Sequence, residues 1–241
     1  MSGKRLAGWL LATGLMASMG APGLAETVPV RFVGCPSDGQ QGPRPAPHAP
    51  THRPRVPAAM AARLAWYESE DLGVLAPRGW RCVGLAGSNG SFLMVSPESH
   101  DRDALDAKLK GPAIQLSVSF GGTSGRFEAA KLAARLFPSR RAFVEGVIAE
   151  GFEAKEDFPF GPFPHDRVRR IGPNVVAFET PANQEGVGTM SRLVRSSAPI
   201  LGRVAMNADN DAILLAVRLD PGMGDVATAI LRQFDDDAAK K

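Results

Sequence analysis

The sequence predicts an α+β fold: a single domain with a largely antiparallel sheet, about four helices and an N-terminal proline-rich arm. Three observations carry that expectation. Helix-like and strand-like stretches interrupt one another irregularly, where a doubly wound fold would alternate them one for one. Gly87-Ser88-Asn89-Gly90 lies between two apolar runs, and Asn-Gly offers the positive φ angles that a tight hairpin demands. Ile114, Leu116, Val118 and Phe120 alternate with Gln115, Ser117 and Ser119, the period of two of a strand with one buried face.

Taken in order, residues 1–25 read as an export leader. Lys4 and Arg5 give a short positive region, and the apolar run 6–19 is shorter than the roughly 20 residues needed to cross a bilayer of ~30 Å. Pro22 and Gly23 break any helix, and Gly23-Leu24-Ala25 places small residues for cleavage between Ala25 and Glu26. Residues 26–57 form the arm: a strand over 27–33, ended by Gly34-Cys35-Pro36, then a proline-rich stretch, 36–57, expected to be extended and mobile. The domain proper covers 58–236 and opens on an alanine-rich helix over 58–70, with Gly73 as its stop. After a turn at Pro77-Arg78-Gly79, strands are expected at 81–85 and 91–95 around the Asn-Gly turn. Helices over 126–137 and 140–150 follow, the second capped by Ser139. Strands at 167–171, 175–180, 200–206 and 212–219, a helix at 225–234 and a polar tail, 237–241, complete the chain.

Charge and cysteines bound the setting. The leader holds two of the 28 Lys and Arg and none of the 25 Asp and Glu, so the mature chain is almost neutral. Such a chain has no global field to draw in a polyanion, which argues against a nucleic-acid partner. No second apolar stretch reaches transmembrane length, so no membrane span is expected once the leader is removed. Cys35 and Cys82 are the only two cysteines, and in an oxidising compartment that count most simply means one disulfide. Reading Phe32-Val33-Gly34-Cys35 as a lipidation box fails, because Glu26 and Arg31 separate Cys35 from the apolar run.

Few motifs suggest chemistry. Ala86-Gly87-Ser88-Asn89-Gly90 fits a variant nucleophile elbow around Ser88, but a strand follows it where the elbow needs a helix. His48 and His52 have helical metal-ligand spacing in a segment whose prolines forbid a helix, and His100 falls in a charged loop. His165 and Asp166 are neighbours on an extended stretch and so point apart. No metal or cofactor is therefore expected. Gly121-Gly122-Thr123-Ser124-Gly125 links a strand to a helix, which makes Thr123 and Ser124 candidates for holding an anion. Arg78 and Trp80, close to Trp66 and Tyr67, have the composition of a binding hot spot. Arg167, Arg169 and Arg170 lack interleaved aromatics and read as a solvated sheet face.

The run Gly73-Val74-Leu75-Ala76-Pro77-Arg78-Gly79-Trp80-Arg81-Cys82, with Gly34-Cys35-Pro36 upstream and Glu185-Gly186-Val187-Gly188-Thr189 downstream, resembles a group of uncharacterised exported bacterial proteins. The resemblance implies a bacterial envelope or secreted setting, either periplasmic or released. The expectation from all of this is a non-catalytic binding or accessory module of the cell envelope, its partner an envelope ligand or protein. The alternative is an envelope or secreted hydrolase drawing on Ser88 and His165.

Overall fold

The computed structural model describes residues 26–99, 106 and 108–239. The expected leader, His100 and the last two residues lie outside that set. The chain begins with β1 (Thr27–Pro29), β2 (Arg31–Gly34), β3 (Ser37–Gly39), β4 (Arg55–Pro57) and the one-turn helix α1 (Ala58–Ala61). It continues through β5 (Leu64–Glu68), β6 (Gly73–Pro77), β7 (Arg81–Gly87), β8 (Gly90–Ser96) and β9 (Ala113–Ser119). Two helices, α2 (Arg126–Leu136) and α3 (Arg141–Ala149), precede β10 (Arg167–Gly172), β11 (Val175–Thr180), β12 (Ile200–Met206) and β13 (Ala212–Arg218), and α4 (Gly224–Ala238) ends the described chain.

Eight strands make one sheet in the order β10-β11-β12-β13-β9-β8-β7-β3, antiparallel throughout except where β3 joins β7. A three-stranded sheet, β2-β5-β6, and the pair β1-β4 stand apart from it. The fold is thus α+β and largely antiparallel, as its irregular order of elements predicts. Strand alternation sorts the core into two halves. On β13, Leu214 and Ala216 pack toward α2 and α3, while Leu215 and Val217 pack toward the small sheet and α4. The large sheet is consequently the middle of three layers, and each fully buried Leu contributes about 2 kcal/mol through removal from water.

The helix expected over 58–70 is corrected: only Ala58–Ala61 is helical, and Leu64–Glu68 is the central strand of the small sheet. Helix propensity favours the alanine-rich run by a few tenths of a kcal/mol per residue. Pairing with β2 on one side and β6 on the other, with all five residues of β5 buried, outweighs that preference. Gly73, expected to stop the helix, instead begins β6, and a Cβ there would lie 2.3 Å from Cζ2 of Trp66. Its bare backbone lets the indole lie across the strand.

The arm is also more structured than its prolines suggest. β3 adds to the edge of the large sheet, and β4 pairs with β1. Between them, the Thr51 N–H donates to Oε1 of buried Glu68 at 2.8 Å, and Trp66 Nε1 donates to the other carboxylate oxygen. His52 is not simply a solvated loop residue: its ring meets Trp66 edge-on at 5.3 Å, and its Nε2 lies 3.6 Å from Asp237 at the end of α4. Cys35 and Cys82 form the expected disulfide, which fastens the end of β2 to β7.

Three smaller differences follow from local geometry. The β7–β8 loop consists of Ser88 and Asn89, with Gly87 facing Gly90, and its only positive φ belongs to Gly90. Ser139 sits inside a 3-10 turn, Pro138–Arg140, and no side-chain cap precedes α3. Helix α4 runs through Ala238, so the first residues of the expected tail are helical.

Candidate functional site

The helical layer leaves part of the large sheet open. Helix α2 lies against β13 and β9, with α3 packed on α2, so the same face of β7 and β8 has no helix above it. The result is a groove of about 860 Å³. Registry sets its floor: Leu85 opposite Phe92, Phe92 opposite Ser117, and Ser117 opposite Leu214. Two residues along the strands in one direction are Val83 and Gln115, and two residues the other way is Ser119. Ser124, Glu128 and Leu132 of α2 and the turn before it form one wall, and Met190, Ser191 and Arg192 contribute to the other.

The polar side of β9 therefore faces the groove, while Ile114 and Leu116 enter the core behind the sheet. Alternation predicts that division. It does not predict that the polar face is sheltered by a helix wall from a distant part of the chain. Gln115, Ser117, Phe92 and Arg192 were accordingly not among the expected site residues. The one available signal is that Gln115, Ser117 and Ser119 are short and uncharged where a fully wet strand face usually carries lysines and glutamates.

Arg192 is placed by its backbone. Its N–H donates to Gln115 Oε1 at 2.8 Å, and its carbonyl accepts from the Leu109 N–H at 2.8 Å. The half-buried guanidinium lies 5.7 Å from the centre of the Phe92 ring, and among the described residues it has no carboxylate partner.

The Glu185-Gly186-Val187-Gly188-Thr189 stretch fixes that wall from behind. Val187–Met190 is a 3-10 turn. Asp166 accepts the Val187 N–H and the Thr180 hydroxyl, each at 2.7 Å, and Thr180 Oγ1 in turn accepts the Gly188 N–H at 3.0 Å. Burial pushes the Asp166 carboxyl above its ordinary range, against the opposing pull of these two hydrogen bonds and of Arg135. Both glycines are steric requirements: a Cβ on Gly186 would sit 1.9 Å from Asp166 Oδ1, and one on Gly188 would sit 2.6 Å from Ile200 Cβ. The motif positions the wall.

The residues expected from sequence divide between two places. Ser124 lines the groove, but the Thr123 hydroxyl is spent within its own turn, donating to Phe120 O and accepting from Gly125 N–H. Arg78 and Trp80 border a separate hollow of about 170 Å³ with Arg31 and Tyr67. Trp80 is half-buried there, and the Tyr67 hydroxyl, pushed up by burial, donates to Pro77 O at 2.8 Å. Ser88 is exposed at the groove's rim, its backbone N–H donating to Gln40 Oε1, while His165 is exposed in the loop before β10. No hydrogen bond joins Ser88 to a histidine among the described residues. Among the described residues no cluster of three or more His, Cys, Asp or Glu converges on a point, and no helix is long and apolar enough to cross a membrane. No protein-family model, curated protein or solved structure matches the chain, so the chemistry of the groove is read from its own side chains.

Proposed function

We propose that this protein is exported and serves as a non-catalytic binding module of the bacterial cell envelope, its ligand lying in the groove over β7, β8 and β9. The observation that carries the reading is the groove itself. Its volume of about 860 Å³ falls within the ~300–1,000 Å³ typical of small-molecule sites, and it pairs an aliphatic floor with a few converging polar groups. Export is supported by the leader-like first residues and by the Cys35–Cys82 bridge, since disulfides persist in oxidising compartments. The hydrolase alternative gains no support from the geometry, because among the described residues no hydrogen bond joins Ser88 to a base.

A thermal-shift screen of the protein against soluble envelope components, namely peptides, oligosaccharides and cell-wall fragments, tests the proposal. A true ligand at a hundredfold excess over its Kd stabilises by about 2.7 kcal/mol, which raises Tm by roughly 5–10 °C for a chain of this size. A Ser117→Trp variant fills the floor of the groove and should fold yet lose that shift. A shift that survives in this variant would remove the groove from the proposal. Turnover of an ester or amide that disappears in Ser88→Ala would replace binding with hydrolysis.

A further inference from the structure

The groove's polar groups are not evenly mixed, and their imbalance indicates what they bind. Gln115 is only 5% exposed. Its partner Arg192 N–H is a donor, so the amide atom facing it must be the oxygen. The Nε2 amide group then has no protein acceptor among the described residues, and it points toward the groove side of β9. That NH2 is not sealed off from solvent, and a bound acceptor in the groove would exchange its contact with water for a hydrogen bond. The Arg192 guanidinium, without a carboxylate partner among the described residues, and the Ser117 hydroxyl share the same end of the groove. One of these donors is a cation, and the carboxylates of the lining stand elsewhere, Asp38 on β3 accepting the Gly39 N–H and Glu128 on α2 paired with Lys131.

Resting on the groove reading, we propose that Gln115 and Arg192 form a carboxylate seat, and that the ligand is a short peptide whose free C-terminal carboxylate occupies it. A planar guanidinium and an amide NH2 match the two oxygens of a carboxylate, and charge-assisted bonds of this kind are about twice as strong as neutral ones. The peptide class follows from the rest of the lining. Val83, Leu85, Leu132 and Leu214 offer aliphatic surface to side chains. Flat sugar rings stack on open aromatic faces, whereas Phe92, the one aromatic side chain lining the groove among the described residues, already carries the Arg192 guanidinium. Apolar contact along the floor and a carboxylate at one end together describe a hydrophobic C-terminal residue.

The test is a titration of the protein, followed through its backbone and side-chain amide NMR signals, with N-acetyl-Gly-Phe and separately with its C-terminal amide. The acid is expected to shift the Gln115 side-chain NH2 and the signals of Phe92 and Arg192 saturably, and the amide to bind about tenfold more weakly or worse. Arg192→Gln should lower affinity for the acid by a similar factor and leave the amide unaffected. Gln115→Glu keeps an acceptor for the Arg192 N–H and replaces the donor with a like charge, so it should abolish acid binding in a folded protein. Equal binding of acid and amide in the groove would overturn the carboxylate seat while leaving the groove as a ligand site. Binding of di-galacturonate through Arg192 with no response to the peptide would keep the seat and overturn the peptide. No response to any of the three probes overturns the inference.

Discussion

Arg218 is 2% exposed, and among the described residues it has no carboxylate beside it. Its guanidinium donates instead to the carbonyls of Leu109 and Lys110, each at 3.0 Å, and to that of Val194. These acceptors lie on the two chain segments that meet as a parallel bridge between Leu109 and Leu193, immediately beside Arg192. Burial pulls the guanidinium below its ordinary value, which still leaves it charged at any working pH. One side chain at the end of β13 thus joins four backbone carbonyls, those of Leu109, Lys110, Gly111 and Val194, of which Leu109 O also accepts the Val194 N–H. Arg218→Met keeps the apolar stem and removes the donors, leaving the carbonyls that have no other donor unsatisfied at about 1–3 kcal/mol for each that remains dry. The expected net loss is about 3 kcal/mol of unfolding free energy, read from the urea midpoint. Because the wall containing Arg192 rests on the same bridge, groove ligands should also bind more weakly to this variant. A midpoint equal to wild type would show that water replaces the guanidinium without cost.

At the scale of elements, the small sheet shows how packing decides what propensity leaves open. β5 owes its strand conformation to two partners and to the space above Gly73 for Trp66. Gly73→Ala would drive a methyl group into the indole ring, and overpacking of that kind costs typically 1–3 kcal/mol. Trp66 would have to move away from Glu68, so a change in intrinsic tryptophan fluorescence should accompany a loss of that size; fluorescence like wild type would mean that the ring never occupied the space. The disulfide acts on the same layer. It closes a loop of 47 residues, for which chain entropy gives roughly 4 kcal/mol, so reduction should lower Tm by roughly 10 °C. Much of this architecture was legible in advance. The bounds of β11 and β12, the alternation of β9 and the paired helices α2 and α3 all follow from patterns local to their own segments. β5 was not legible, because the helix-forming alanine run that precedes it extends a helical pattern into it, which pairing with β2 and β6 overrules. The groove was legible only in half: the polar side of β9 is written in Gln115, Ser117 and Ser119, but the wall that shelters it comes from Met190–Arg192, more than 70 residues further along.

Across the whole molecule, carboxylates of opposite character set the response to pH. Glu150 at the end of α3 pairs with Arg126 at the start of α2, and Asp225 in the first turn of α4 pairs with Arg63 before β5. Each arginine, chiefly through its hydrogen bond, holds its carboxyl below the ordinary range. A carboxyl lowered in the folded state contributes stability above its unfolded pKa and loses it as pH falls through the folded pKa. Both pairs lie at the surface, so each contribution is small and screened by salt. Asp166 works in the other direction. Burial raises its carboxyl, so the folded state takes up the proton more readily than the unfolded chain, and stability falls as pH rises through the interval between the two values. Acidification through the interval just above the ordinary carboxylate range should therefore raise Tm slightly as Asp166 gains its proton, and further acidification through and below that range should lower it as the surface pairs are lost. Asp166→Asn separates the two effects. Its amide oxygen can still accept the Val187 N–H, and its NH2 can donate to Thr180 Oγ1, so the groove wall keeps its support without a titrating group. The variant should show no rise of Tm on mild acidification and the same fall at lower pH, followed by scanning fluorimetry at low ionic strength. A rise that persists in Asp166→Asn would assign the proton uptake to another group and leave the burial of Asp166 without a part in the acid response.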